Sequence, residues 1–210
     1  MTNLLKRFLP ILIVTALCWL IFPINNLLLN GQLASYGIIP RQVSSLPGIL
    51  LAPFLHATYA HLLANTIPLL ALGGILCARS RGEFIIVTVI GIVLGGGLTW
   101  LVGRNATHIG ASGLIFCYFG YLASLAYFHR SFGTLCVSVL CILAYGGILR
   151  GVLPTSAAVS WEGHLTGLVA GVALAWFVSK VKKTPLTPTA PSLPEKPAPA
   201  PEQISRDPSL

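Results

Sequence analysis

A serine hydroxyl attacks a carbonyl at neutral pH only when a base stands beside it, and a histidine is the usual base. Ser112 and His164 are the residues of this chain that suit those two parts. Ser112 sits in Gly110-Ala111-Ser112-Gly113, where small residues permit a sharp entry into a helix and the close approach of another backbone. A serine at a helix start also has unpaired backbone N–H groups around it and the positive end of the helix dipole behind it. That is the outline of an oxyanion site. His164 is followed by Gly167 and Gly171, a spacing that puts it near the face by which a helix packs closely on a neighbour. If that neighbour carries Ser112, the two side chains meet.

His61 and Asn65 are four residues apart and share one helix face, so both can donate to the same anion. His56 lies just upstream. The acids decide whether the base has a carboxylate partner. Glu83 falls at the opposite helix ends, Glu195, Glu202 and Asp207 fall in the C-terminal stretch, and Glu162 is about 200° around its helix from His164. None is placed to orient the base, which leaves a dyad. Each residue alone has an ordinary structural explanation, and the weight lies in their falling together.

The elements that must position them are membrane helices. The chain has 210 residues, 55% hydrophobic and 9% charged, with a mean hydropathy of +0.82, outside the balance of a soluble domain. Six apolar segments stand out at about 9–29, 59–78, 84–102, 112–127, 132–149 and 162–180, each near the ~20 residues a spanning helix needs. They show no strand-like alternation, so an all-α, polytopic bundle of six transmembrane helices is expected. Lys6, Arg7, Arg79, Arg81, Arg130, Lys180, Lys182 and Lys183 fall at one set of helix ends, and only Arg41, Arg104 and Arg150 at the other. The positive-inside rule then puts both termini in the cytoplasm and the polar candidates near the outer face. The fourth segment is short, about 24 Å of helix against ~30 Å of hydrocarbon, so Ser112 is expected below the outer surface.

The net charge of +8 comes as short clusters between apolar runs, with no continuous basic stripe, which argues against a nucleic-acid partner. The five cysteines lie inside apolar runs at no metal or disulfide spacing and read as small buried hydrophobes. Lys6 and Arg7 before an apolar run resemble a secretory signal, but that run lacks a clear cleavage site and is read as a retained span. The membrane domain is expected over 1–183, with 30–58 as an outer interfacial loop whose prolines, Pro40, Pro47 and Pro53, cut its helical pieces short. From Thr184 to Leu210 there are eight prolines among 27 residues, so a disordered cytoplasmic tail is expected.

His61-x-x-x-Asn65, Gly110-Ala111-Ser112-Gly113 and His164-x-x-Gly167-x-x-x-Gly171, in this order on the second, fourth and sixth of six spans, resemble the rhomboid intramembrane serine proteases of the six-span bacterial type. The resemblance covers roughly residues 50–180. It implies a Ser112 nucleophile with His164 as general base, and an oxyanion held by the Ser112 N–H, His61 and Asn65. It implies supporting roles for Gly110, Phe116 and His56, and no cofactor or metal. The substrates would be transmembrane proteins cut in or beside a span, with the lipid bilayer as solvent and a bacterial plasma membrane as the location. Two departures stand out. Phe116 occupies the position where a tyrosine often stacks under the histidine, and the first outer loop lacks the Trp-Arg pair of some members. The alternative is a non-catalytic rhomboid-like protein that binds spans without cutting them. A metal or proton transporter built on His56, His61, His108 and His164 lacks carboxylate partners and any His-Glu-x-x-His string.

Overall fold

A computed structural model of the chain describes residues 3–156 and 158–183, and the tail expected from Thr184 onward lies outside them. Six long helices run in sequence: α1 (Asn3–Pro23), α2 (Tyr59–Arg79), α3 (Arg81–Val102), α4 (Ser112–His129), α5 (Phe132–Tyr145) and α6 (Trp161–Lys183). α1 continues through a π turn, Ile24–Leu28, and α5 through a 3-10 segment, Gly146–Val152. The segments containing α1, α2, α3, α5 and α6 are each long and apolar enough to cross a membrane.

α4 differs in kind. Its residues are buried without a break from Leu114 to Leu122, as expected of a helix enclosed by its neighbours rather than facing lipid. α6 packs on it most intimately. A Cβ on Gly167 would run into the carbonyl of Gly113, and one on Gly171 into the carbonyl of Cys117. The glycine spacing therefore lets two backbones touch and brings the starts of α4 and α6 side by side.

Local chemistry sets the helix ends. The Thr58 hydroxyl accepts from the His61 N–H (3.1 Å), the Ser80 hydroxyl from that of Glu83 (3.3 Å), and Ser131 and Thr134 form a reciprocal capping box. Two boundaries depart from expectation. α1 begins at Asn3 rather than near residue 9, and its Arg7 guanidinium donates to the carbonyls of Cys77 (3.0 Å) and Ala78 at the end of α2. A cation that satisfies the last carbonyls of a helix ties this early turn to the end of α2, while Arg7 itself stays exposed. The α-helical part of the fifth segment stops at Tyr145, where the poor helix formers Gly146 and Gly147 give way to 3-10 geometry.

The 30–58 connection is built of short helical pieces, Gln32–Tyr36, Val43–Ser45, Gly48–Leu51 and Ala52–Phe54. It is tied to the strand-like segment before α4. Ile38 and His108 exchange both backbone hydrogen bonds (3.0 and 2.8 Å), and the Gly110 N–H donates to the Ala52 carbonyl (2.8 Å). The Arg41 guanidinium donates to the carbonyls of Leu101 and Gly103 at the end of α3 (3.1 and 2.8 Å).

Candidate active site

α2, α4 and α6 all begin at the same end of the bundle, and their first two turns carry His61 and Asn65, Ser112, and His164. The packing of α6 against α4 brings His164 Nε2 to 2.8 Å from Ser112 Oγ. On the other side of the ring, His164 Nδ1 lies 2.8 Å from the carbonyl oxygen of Gly151. A carbonyl only accepts, so Nδ1 carries the proton and Nε2 turns a lone pair toward the serine hydroxyl. Phe116, one turn along α4, stacks flat on the same ring, with centroids 4.3 Å apart and planes at 8°. The imidazole is thereby held in position, orientation and tautomer.

The first hydrogen bond within α4 runs from the Ile115 N–H to the Ala111 carbonyl (2.9 Å), so the N–H groups of Ser112, Gly113 and Leu114 lie ahead of the helical ladder. Gly110, at φ +111°, makes the entry. A side chain there is excluded twice over: the backbone is left-handed, and a Cβ would lie 2.6 Å from the His61 ring and 3.5 Å from Asn65 Nδ2. His61 and Asn65 thus flank the backbone just before Ser112. Asn65 is buried, and its Nδ2 has no acceptor within reach. A buried donor without a partner costs free energy unless a ligand or transient species supplies the acceptor.

His56 is buried behind these groups, its ring 5.0 Å from that of His61. Its Nε2 accepts a long hydrogen bond from the Ala111 N–H (3.5 Å). Burial first, and the neighbouring His61 second, push its pKa down to about 4. A neutral ring suits an acceptor role. A cavity of about 590 Å³ opens onto His61, Asn65, Ser112 and His164. Among the described residues, no group of three or more His, Cys, Asp or Glu side chains is placed to hold a metal ion.

The structure thus brings together the dyad and oxyanion candidates named from the sequence, and it adds interactions that sequence reasoning missed. The Gly151 carbonyl stands where a triad would have a carboxylate. Any residue supplies a carbonyl, so only the glycines breaking the fifth segment hinted at an unusual backbone there. Glu162 pairs with Arg104 (3.2 Å) instead of His164. His108 and Ser160, whose side chains lie 2.6 Å apart, border the same cavity. An Arg and a Glu at the less charged ends of the helices were a legible sign of the first pair; nothing in the spacing marked the second.

A rhomboid domain model matches residues 43–181. Uncharacterized proteins of Mycobacterium bovis and Mycobacterium tuberculosis are each 40% identical over 178 residues, covering 80% of this chain and 74% of theirs. One from Mycobacterium leprae is 39% identical over 178 residues, covering 80% of this chain and 70% of its own. With the domain match spanning the bundle from the outer loop to α6, the chain belongs to the rhomboid family of intramembrane proteases and is an integral membrane protein.

Proposed function

We propose that this protein is an intramembrane serine endopeptidase that cuts other membrane proteins in or next to a transmembrane segment, using Ser112 and His164 as a dyad. The observation that carries the reading is the directed chain Gly151 carbonyl, His164 and Ser112, with 2.8 Å at each step. In the first step His164 Nε2 takes the Ser112 proton as Oγ bonds to the scissile carbonyl carbon. The electron pair of the carbonyl moves to its oxygen, which the Ser112 N–H, His61 and Asn65 stabilise. The tetrahedral intermediate then collapses, the C–N bond breaks, and His164 returns its proton to the leaving amine. A water entering the cavity repeats the sequence on the acyl-enzyme, releasing the second fragment and restoring Ser112.

Phe116 keeps the stacking surface that a tyrosine would offer under the base, without its hydroxyl. Gly110 and His56 support the entry to α4. In this reading residues 1–183 form the protease domain in a bacterial plasma membrane, with both termini cytoplasmic and the catalytic end facing outward. The test is to reconstitute the protein with a single-span reporter carrying a small residue near the outer end of its span, and to weigh the products. Two fragments whose masses place the cut in or beside the span are expected. Stable association with an uncut reporter would replace proteolysis by span binding.

A further inference from the structure

Phe116 and Gly151 hold the His164 ring, but the approach of α6 to the segment entering α4 is set elsewhere. His108 is buried, and its Nε2 lies 3.1 Å from the Arg104 carbonyl. That oxygen only accepts, so Nε2 carries the proton and Nδ1 presents a lone pair. Ser160 Oγ stands 2.6 Å from Nδ1 and donates to it. The same Oγ accepts from the Gly163 N–H (3.3 Å), and the Ser160 carbonyl accepts from the His164 N–H (3.1 Å). Ser160 is therefore the N-cap of α6. One path of hydrogen bonds runs from the segment that delivers Ser112, through His108 and Ser160, to the turn that carries His164. His108 lies four residues before Ser112, and Ser160 four before His164.

We infer that His108, acting through Ser160, is a positioning residue that fixes the approach of His164 to Ser112. This rests on the Ser112–His164 reading. A second tie lets the fold survive its loss: the Arg104 N–H and guanidinium both reach the buried Glu162 (3.3 and 3.2 Å). With that ion pair intact, breaking the His108–Ser160 bond loosens the register of α6 without releasing it. A buried histidine with a merely structural role would lower stability and leave the chemical step alone.

The experiment uses the full chain in liposomes and reads two quantities. One is the rate at which an alkyl fluorophosphonate labels Ser112, located by the mass of the labelled peptide; the other is kcat and KM for a transmembrane peptide. His108→Gln can still reach the Arg104 carbonyl but offers nothing at Nδ1, whereas His108→Asn puts an amide oxygen near that position. His108→Gln is expected to lower both kcat and the labelling rate by roughly 10- to 100-fold, with KM within about twofold, because sub-ångström misplacement acts on the chemical step. His108→Asn should recover to within about threefold of wild type by restoring the acceptor. Ser160→Ala should match His108→Gln, Ser160→Thr should resemble wild type, and the His108→Gln/Ser160→Ala double variant should be no slower than either single. Labelling of His108→Gln at the wild-type rate overturns the inference, as does equal loss in the Gln and Asn variants. If the histidine variants do not fold, equal rates for Ser160→Ala and Ser160→Thr overturn it instead. A wild-type protein that is not labelled at Ser112 removes the nucleophile assignment, and this inference falls with it by a distinguishable result.

Discussion

The carbonyl oxygen of Gly151 accepts the Nδ1 hydrogen of His164 at 2.8 Å, and the glycine is as necessary as the carbonyl. A Cβ on residue 151 would lie 2.9 Å from His164 Nδ1 and 3.0 Å from Phe116 Cζ. Both rings must then shift. Gly151→Ala is expected to lower turnover by roughly 10- to 100-fold through misplacement of the base. The melting temperature in detergent should change little, since no residue of the 3-10 segment Gly146–Val152 is buried. Wild-type turnover in Gly151→Ala would show that this carbonyl does not orient the ring.

Asn65 gives a test in which stability and activity move apart. Its Nδ2 is buried without an acceptor, so removing the amide relieves a desolvation cost in the resting protein. If that donor serves the oxyanion, Asn65→Ala should lose about 10² to 10³ in turnover. Its melting temperature should hold or rise. A lowered melting temperature with turnover per folded molecule intact would make Asn65 a structural tie instead.

The glycines of the bundle separate into those that permit contact and those that do not. Gly171→Ala drives a methyl into the Cys117 carbonyl and within 2.8 Å of the Tyr121 nitrogen, an overpacking expected to cost ~1–3 kcal/mol. Gly97, in the interior of α3, has nothing within 4 Å of a built Cβ, so Gly97→Ala should stabilise by up to ~1 kcal/mol through helix propensity. Equal melting temperatures for the two variants would contradict the close α4–α6 packing.

Acid should loosen the entry to α4. The folded His56 pKa, about 4, lies below its ordinary 6.5, so between those values the unfolded chain takes up a proton that the folded one refuses. The His56 contribution is therefore intact above pH 6.5, falls as pH drops toward 4, and levels off below. His61, whose ring faces it, shares the region, so the measurement is the difference between wild type and His56→Gln. Stability should fall less steeply in the variant across that window. Parallel pH curves would show that His56 is not the titrating group.

The hydropathy runs disclosed the six helices because lipid leaves a backbone no other choice, and their ends were blurred where a charge or glycine changed the local solution. Ser112, His164, His61 and Asn65 were legible because polar residues among apolar ones are costly and because small-residue spacing shows which helix faces meet. Gly151 was hidden, since a backbone acceptor has no side-chain signature. The fold of 30–58 was hidden for a related reason. A Cβ on Gly48 would meet the Gly37 carbonyl, and such a contact between distant backbone atoms leaves no period in the chain. The His108–Ser160 bond joins residues 52 apart that only the docking of α6 brings together.

The most direct test of the account is turnover of a transmembrane peptide by purified Ser112→Ala, His164→Ala and the double variant, each checked for folding by its melting curve. Nucleophile and base act as one unit, so each single variant should fall to background and the double should be no lower. A folded Ser112→Ala protein that keeps more than about 5% of wild-type turnover would contradict it, because loss of an essential nucleophile leaves orders of magnitude less.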